Sequence, residues 1–136
     1  MGLKSNRAVG NAFEQELCDL LFAYGFWAKN LKQDNAGQPA DVIAVRNKTA
    51  YLIDCKDCSA KGFDLRRVEE NQITAMQLWD ECGNGQGWFA IKVPTGDIYM
   101  LPFVCVMGYR NAQSSMSFAE IHEIGKPFEA WVKRCK

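Results

Sequence analysis

Histidine, net charge and metal-binding cysteine pairs are scarce in this chain. Its 136 residues contain one histidine, and 16 basic side chains balance 16 acidic ones. Zero formal charge argues against a protein that holds nucleic acid by bulk electrostatics alone. Cys55 and Cys58 form a CxxC pair without a second pair, and His122 is distant in sequence, which disfavours a zinc site. We therefore expect His122 to be structural or exposed.

Long apolar runs are also missing, and we expect no export signal. No run approaches the roughly 20 apolar residues that cross a bilayer, and the start MGLKSNRAVG lacks the apolar centre of a signal peptide. A chain with 48% hydrophobic residues does not need its six cysteines as disulfides. We expect a cytoplasmic protein with reduced cysteines, Cys55 packed behind a strand, and a single domain over residues 1–136.

What the chain does contain is a pair of β-like runs, each interrupted by one acid. The runs are Ala40 to Val45, with Asp41, and Tyr51 to Cys55, with Asp54. A hairpin with a two-residue turn between them places Asp41 opposite Asp54 in an odd-sum register. An even-sum register would move Asp41 to the other face and remove a catalytic role unless a bulge restored the convergence.

This hairpin predicts a small charged site. The turn falls at Asn47 and Lys48. Side chains alternate along a strand, so Asp54 and Lys56 share a face. Facing carboxylates repel unless a cation lies between them, and hard oxygen ligands suit Mg²⁺, with Mn²⁺ as a substitute. Lys56 can orient or deprotonate a water, or stabilise charge on a phosphate. The alternative is a surface acid pair, although the flanking apolar residues disfavour full exposure.

Two helices are predicted to flank the hairpin. The spacing of apolar residues predicts a helix from Ala8 to Tyr24, ended by Gly25, with Glu14 at the border of its buried stripe. Glu14 either reaches a site at the sheet edge or is a partly exposed helix acid. A second helix, capped by Asp64 and extending to Trp79, carries Gln72 on its inward face, where Gln72 is either a satisfied core amide or points to the site.

The remaining segments complete a sheet. Strands are predicted at Phe26 to Leu31, Trp88 to Val93 and Asp97 to Leu101, with a polar loop from Lys32 to Pro39. Beyond Pro102 the pattern is weaker: it comprises an apolar run of open type (Phe103 to Met107), a polar loop (Asn111 to Ser117) and a short terminal helix (Pro127 to Cys135).

Basic residues concentrate around the hairpin. Between Lys29 and Arg67 there are eight basic and five acidic residues, a local charge of +3. Such a surface can contact a phosphate backbone, although a solvated charged face is the default interpretation. The candidate DNA contacts are Lys32, Lys61, Arg66 and Arg67.

The order helix, strand, acid-bearing hairpin, helix resembles the PD-(D/E)XK nuclease superfamily. The signature is present as Pro39-Ala40-Asp41, twelve residues, then Asp54-Cys55-Lys56, preceded by Glu14 on the first helix. The resemblance implies an α/β fold with a restriction-endonuclease-like αβββαβ core and a mixed central sheet flanked by helices.

Within that superfamily, Gly10, Glu14 and Gly25-Phe26 are similar to the first helix of Holliday junction resolvases. Later stretches are similar to the recombination protein U group, also called penicillin-binding protein-related factor A. These stretches are Phe63-Asp64-Leu65, Asn71-Gln72, GWFAIKV and IYMLPF. Two features depart from that group. Asn71 stands where the group usually has a histidine, and the interval from Gly37 to Asp41 is too short for its long stalk.

The resemblance implies that Asp41 and Asp54 bind Mg²⁺, that Lys56 is the catalytic lysine, that Glu14 is an accessory acid, and that Gln72 matches the glutamine of the later helix. We accordingly expect a metal-dependent DNA endonuclease, a homodimer acting on four-way junctions in recombination. The alternatives are a restriction-like or repair endonuclease and a catalytically silent DNA-binding accessory module. A small-molecule α/β domain is disfavoured because no glycine-rich phosphate loop follows a strand.

Overall fold

A six-stranded mixed sheet forms the centre of the molecule. The computed structural model describes residues 6–31, 40–60 and 62–135, with side chains from residue 12 onward. In sheet order the strands are β1 (Trp27–Asn30), β2 (Val42–Arg46), β3 (Thr49–Asp57), β5 (Trp88–Lys92), β6 (Ile98–Pro102) and β8 (Lys126–Pro127). The β3 and β5 strands are parallel and the other neighbours are antiparallel. The α/β class and the mixed sheet are therefore confirmed.

The first helix, α1 (Asn6–Ala23), forms as the apolar spacing predicts. Phe13, Leu17 and Leu21 recur every four residues and are fully buried. Gly25 follows the helix with a φ of +85°, a left-handed conformation that glycine adopts without strain. The helix ends where predicted because the chain must reverse there to enter β1.

The hairpin of β2 and β3 has the predicted register. Asn47 and Lys48 have φ values of 54° and 65°, as a type I′ turn requires. Arg46 pairs with Thr49 and Val42 with Ile53, so the numbers of paired residues add to an odd value throughout. This register places Ile53 and Cys55 on one face of the sheet and Leu52 and Asp54 on the other.

Two hydrophobic layers cover the two faces. One layer joins α1 and the C-terminal helix to the sheet and contains Cys55, while the other lies under the remaining helices and contains Cys58. The two thiols of the CxxC therefore occupy separate cores, and all six cysteines are free. Burial raises the pKa of Cys55 well above its ordinary range, which makes it an inert core residue.

The predicted helix from Asp64 to Trp79 is wrong in its first turn. Asp64 caps a short 3-10 helix (Leu65–Arg67), accepting a hydrogen bond from the Arg66 amide, and Val68 and Glu69 are then extended. The helix proper, α2 (Glu70–Trp79), begins after this break. The preceding β4 (Phe63–Asp64) pairs with β7 (Ser115–Met116), a contact between distant segments that no local pattern indicated.

The segment after Pro102 is mainly helical. The apolar run from Phe103 begins α3 (Phe103–Ala112), and the predicted polar loop is interrupted by β7 and followed by α4 (Phe118–Ile124). The terminal helix is confirmed as α5 (Phe128–Arg134). His122 is exposed on α4, with its ring stacked on Tyr99 at 4.6 Å, as expected for a structural or exposed histidine. None of the described helices is long and apolar enough to cross a membrane.

Candidate active site

Asp54 lies at the centre of a charged cluster on β3. Its side chain is fully buried. Its Oδ2 lies 3.0 Å from the Nζ of Lys56, two residues along the same strand, and its Oδ1 accepts a hydrogen bond from Nε2 of Gln72 at 3.3 Å. The alternation of side chains along β3 brings Asp54 and Lys56 to one face, toward α2, as the sequence predicts.

Asp41 joins the cluster through an irregularity at the start of β2. Its amide donates to the Ile53 carbonyl at 3.1 Å although Ile53 already pairs with Val42, so two residues oppose one, as in a β-bulge. The Asp41 Oδ2 accepts a hydrogen bond from the Cys55 amide at 2.6 Å, and its carboxyl group also contacts that of Asp54. The bulge thus directs the Asp41 carboxyl group onto the backbone of β3 at Cys55, just beyond the last residue pair of β2 and β3.

Glu14 reaches the same cluster from α1. Its side chain is buried, and its carboxyl group contacts that of Asp41. Of the two alternatives left open by the sequence, the structure shows the one in which the acid at the border of the helix stripe meets the hairpin. Three carboxyl groups therefore adjoin in the order Glu14, Asp41, Asp54.

Lys56 is held by three oxygen atoms from three elements. Besides Asp54, its Nζ donates to the carbonyl oxygen of Arg67 at 3.0 Å and to Oε1 of Gln72 at 3.4 Å. The lysine is buried, so its charge needs these partners. Because Arg67 lies at the end of the 3-10 helix, the break before α2 supplies a carbonyl that an uninterrupted helix would have used internally.

Gln72 connects the cluster to the start of α2. Its Oε1 accepts the Glu69 amide at 3.0 Å as well as Lys56, while its Nε2 donates to Asp54. The side chain is therefore both a satisfied buried amide and part of the site, which combines the two alternatives that the sequence left open. Its amide fixes Asp54 and Lys56 relative to one helix terminus.

Burial dominates the electrostatics of the two aspartates. It raises the pKa of Asp54 well above its ordinary range; Lys56 opposes this rise and Asp41 adds to it. Burial also raises the pKa of Asp41, against the contacts with Asp54 and the Cys55 amide, and Glu14 raises it further. Both shifts favour the neutral carboxyl, and a single proton on the pair is enough to relieve the repulsion between adjacent buried carboxylates.

The donor set fits a magnesium-like cation. The Oδ2 of Asp54 lies within ion-pair distance of Lys56 yet receives no well-directed hydrogen bond from any described group. Over residues 6–31, 40–60 and 62–135, no group of three or more His, Cys, Asp or Glu side chains is arranged to enclose a metal. Mg²⁺ usually takes one or two protein carboxylates and fills its other positions with water and phosphate, so Asp41 and Asp54 are compatible with its usual protein ligands.

The candidate DNA contacts are only partly described. Arg66 and Arg67 are exposed on the 3-10 helix beside Lys56. Arg66 pairs with Asp64 at 2.9 Å, and Nη1 of Arg67 donates to the Asp57 carbonyl at 3.3 Å. Lys32 and Lys61 lie outside the described residues.

Two groups in the site were not predicted from the sequence, and both belong to the backbone. They are the Cys55 amide, which binds Asp41, and the Arg67 carbonyl, which binds Lys56. Backbone groups leave no trace in residue type. The spacing of Glu69 and Gln72, which permits a reciprocal helix cap, is the signal that would have moved the helix start to its observed position.

Comparison with known proteins gives a consistent assignment. The family described as archaeal Holliday junction resolvase (Hjc) matches residues 5–135. The solved structure of Archaeoglobus fulgidus Hjc, a Holliday junction resolvase from an archaeal hyperthermophile, is similar with a TM-score of 0.70 and 16% identity. The match covers 90% of this chain and 99% of that one. No curated protein matches the chain significantly.

These matches confirm the resemblance to Holliday junction resolvases and the resolvase fold. The narrower likeness to the recombination protein U group is not supported by them and stays a prediction. Because the family match covers nearly all of the sequence, the chain belongs to the archaeal Holliday junction resolvase (Hjc) family.

Proposed function

We propose that this protein is a Holliday junction resolving endonuclease that hydrolyses phosphodiester bonds with the help of Mg²⁺. The carrying observation is the buried position of Asp54, where Asp41, Lys56 and Gln72 all contact one carboxyl group. Burying two acids beside one ammonium costs folding stability, and buried titratable groups of this kind are concentrated at functional sites. Membership of the resolvase family supports DNA as the substrate.

Each residue of the cluster has a distinct role in the proposal. Asp41 and Asp54 would hold the cation, which when bound offsets the negative charge of the phosphate and makes a water more acidic. Lys56 donates a hydrogen bond that orients the attacking water or that stabilises the negative charge on a phosphate oxygen. Gln72 holds the side chains of Asp54 and Lys56 in fixed positions relative to each other, and Glu14 is an accessory acid beside Asp41.

We further propose that two copies of the chain act together. Resolving a four-way junction requires two cuts placed symmetrically, and a two-fold dimer presents two equivalent sites. Sedimentation of the protein at micromolar concentration, with and without a four-way junction, tests this. A dimer in either sample supports the proposal, and a monomer in both removes it.

The test of the function is cleavage of a substrate panel. Labelled four-way junction, flap, nicked duplex, linear duplex and single strand are incubated with the protein and Mg²⁺, Mn²⁺ or EDTA. We expect paired nicks in the junction with either metal and none with EDTA. Cleavage of linear duplex at the same rate would indicate a restriction-like enzyme instead, and junction binding without cleavage would indicate an accessory module.

Asp54→Asn should abolish cleavage in this panel. The matched control is Asp57→Asn, which changes an acid at the end of the same strand whose Oδ1 accepts the Ser59 amide. We expect the control to cut normally. Equal activity of the two variants would contradict the assignment of the site.

A further inference from the structure

A surface cleft of about 450 Å³ lies between the 3-10 helix and the end of α3. One wall is the 3-10 helix and the other is the segment that leaves α3. The Leu65 amide donates to the Ser114 carbonyl at 2.9 Å, which ties the two walls together. Polar and basic residues line most of the cleft, namely Arg66, Arg110, Asn111, Gln113 and Ser114, and the apolar residues Leu65 and Ala112 complete the lining.

The two arginines of the cleft are held by exposed carboxylates. Arg66 contacts Asp64 through Nε at 3.0 Å and Nη2 at 2.9 Å, and Arg110 contacts Glu70 at 3.1 Å. The side chains of Arg66 and Glu70 are each 82% exposed. Ion pairs as exposed as these contribute little to stability, so a phosphate can replace either carboxylate at little cost.

Neutral donors complete the lining. Asn111 and Ser114 are exposed, and Nε2 of Gln113 donates to the Ser115 carbonyl at 2.7 Å and to Glu120 at 3.1 Å. Arginine, asparagine and serine side chains are common partners of phosphate oxygens in complexes with nucleic acid. The chemistry of the cleft therefore suits a sugar-phosphate backbone better than an apolar ligand.

The cleft adjoins the catalytic cluster through one short element. Arg66 lines the cleft, and the carbonyl of Arg67, the next residue, accepts the hydrogen bond from Lys56 Nζ. A DNA strand that lies in the active site can thus extend along the 3-10 helix into the cleft.

We propose that this cleft binds the backbone of the same DNA at phosphates other than the scissile one, with Arg110 and Arg66 as the phosphate ligands. The proposal rests on the proposed function and adds α3 to the DNA-binding surface. It also assigns Glu70 and Asp64 as carboxylates that phosphates displace.

The test is the salt dependence of binding to a labelled four-way junction in EDTA, measured by fluorescence anisotropy. Arg110→Ala should weaken binding several-fold and reduce the slope of log affinity against log salt by about 1, the value for one lost phosphate contact. The matched control is Arg134→Ala, an exposed arginine on α5, which packs on the opposite face of the sheet. We expect Arg134→Ala to leave affinity and slope unchanged.

Glu70→Ala separates phosphate binding from a structural role of the ion pair. If Arg110 binds phosphate, Glu70→Ala leaves affinity unchanged or raises it; if the pair only holds α2 and α3 together, Glu70→Ala weakens binding as much as Arg110→Ala. The second result overturns the proposal, and so does an equal effect of Arg110→Ala and Arg134→Ala.

The experiments distinguish failure of the cleft proposal from failure of the proposed function. If the wild-type protein cuts the junction in Mg²⁺ but Arg110→Ala and Arg134→Ala bind the junction equally well, only the proposal that the cleft binds DNA is overturned. A wild-type protein that neither binds nor cuts the junction overturns both.

Discussion

Two acid–base pairs in this chain have the same spacing and nearly the same length but opposite surroundings. Asp54 and Lys56 lie 3.0 Å apart with side-chain exposures of 0% and 9%, and Asp64 and Arg66 lie 2.9 Å apart with exposures of 38% and 82%. Each is an aspartate followed two residues later by a base. The difference between them is burial.

Burial reverses the effect of the surroundings on the acid. The pKa of Asp54 is raised well above its ordinary range by burial, whereas the pKa of Asp64 is lowered by hydrogen bonds from the Arg66 side chain and amide. The exposed pair is a helix cap with a surface ion pair. In the buried pair, burial favours the neutral carboxyl group, so the ionised form of Asp54 needs positive charge beside it and a bound cation would stabilise that form.

The largest expected difference between the pairs is in catalysis. Asp54→Asn should lower the rate of junction cleavage in Mg²⁺ at least about 100-fold, because the reaction loses a charged group at its centre. Asp64→Asn should leave the rate within about three-fold, since surface substitutions seldom alter a buried site. Rates from single-turnover cleavage of a labelled junction measure both. A comparable loss in both variants would remove the functional contrast between the pairs.

The basic partners should differ in the kinetic parameter that changes. Lys56→Ala should lower kcat about 100-fold, as expected for loss of a group that assists proton transfer. Arg66→Ala should raise KM and leave kcat near the wild-type value, because it removes a proposed contact with the DNA backbone and not a catalytic group. Steady-state kinetics separates the two. A kcat defect in Arg66→Ala would place the exposed pair in the reaction.

A smaller effect is expected from the amide that fixes the buried pair. Gln72→Leu should lower kcat about 10-fold, since second-layer partners of charged ligands typically contribute about 10- to 100-fold. Gln77→Leu is the matched control on the same helix, where the side chain is exposed. Equal kcat values for the two variants would show that Asp54 and Lys56 do not depend on Gln72.

The smallest effect is on stability as a function of pH. In EDTA, the raised pKa of folded Asp54 means that the native state keeps a proton which the unfolded chain releases above pH ~4. The contribution of this proton to the free energy of unfolding is therefore complete below that pH. It is lost as the pH rises through the pKa that Asp54 has in the folded protein. The pKa of Asp64 is lowered in the folded protein, so its ionised form contributes to stability above pH ~4. That contribution to stability is lost on acidification.

Thermal unfolding measured over a range of pH reports how the stability depends on pH for both aspartates. The melting temperature of the metal-free wild type should fall as pH rises from mildly acidic to neutral, and Asp54→Asn should flatten that fall. Asp64→Asn should leave that region unchanged and alter only the acid end. Superimposable curves for wild type and Asp54→Asn would contradict the raised pKa of Asp54.

The sequence predicted those features that depend on local periodicity. Turn residues set the register of the hairpin, alternation put Asp54 and Lys56 on one face, and apolar spacing placed Glu14 at the border of α1. Those rules act within a few residues. Because the hairpin and α1 carry most of the charged cluster, local rules sufficed to predict where most of its side chains lie.

The features that were missed depend on contacts between distant segments. The break at Val68 and Glu69 is stabilised by Lys56 and by the pairing of β4 with β7, a strand from much later in the chain. The helix from Phe103 has branched and aromatic residues that suit a strand equally well, so packing on the sheet decides its conformation. The bulge at Asp41 is likewise visible only once both strands are in place.

The most direct test of the proposed nuclease site is a map of cut positions on a four-way junction labelled in turn on each strand, with Mg²⁺ or EDTA. We predict paired nicks at symmetry-related positions in two strands with Mg²⁺, none in EDTA, and none from Asp54→Asn. Cutting that persists in Asp54→Asn, or an intact junction under all conditions, would contradict the assignment of Asp54 as the centre of a metal-dependent resolvase site.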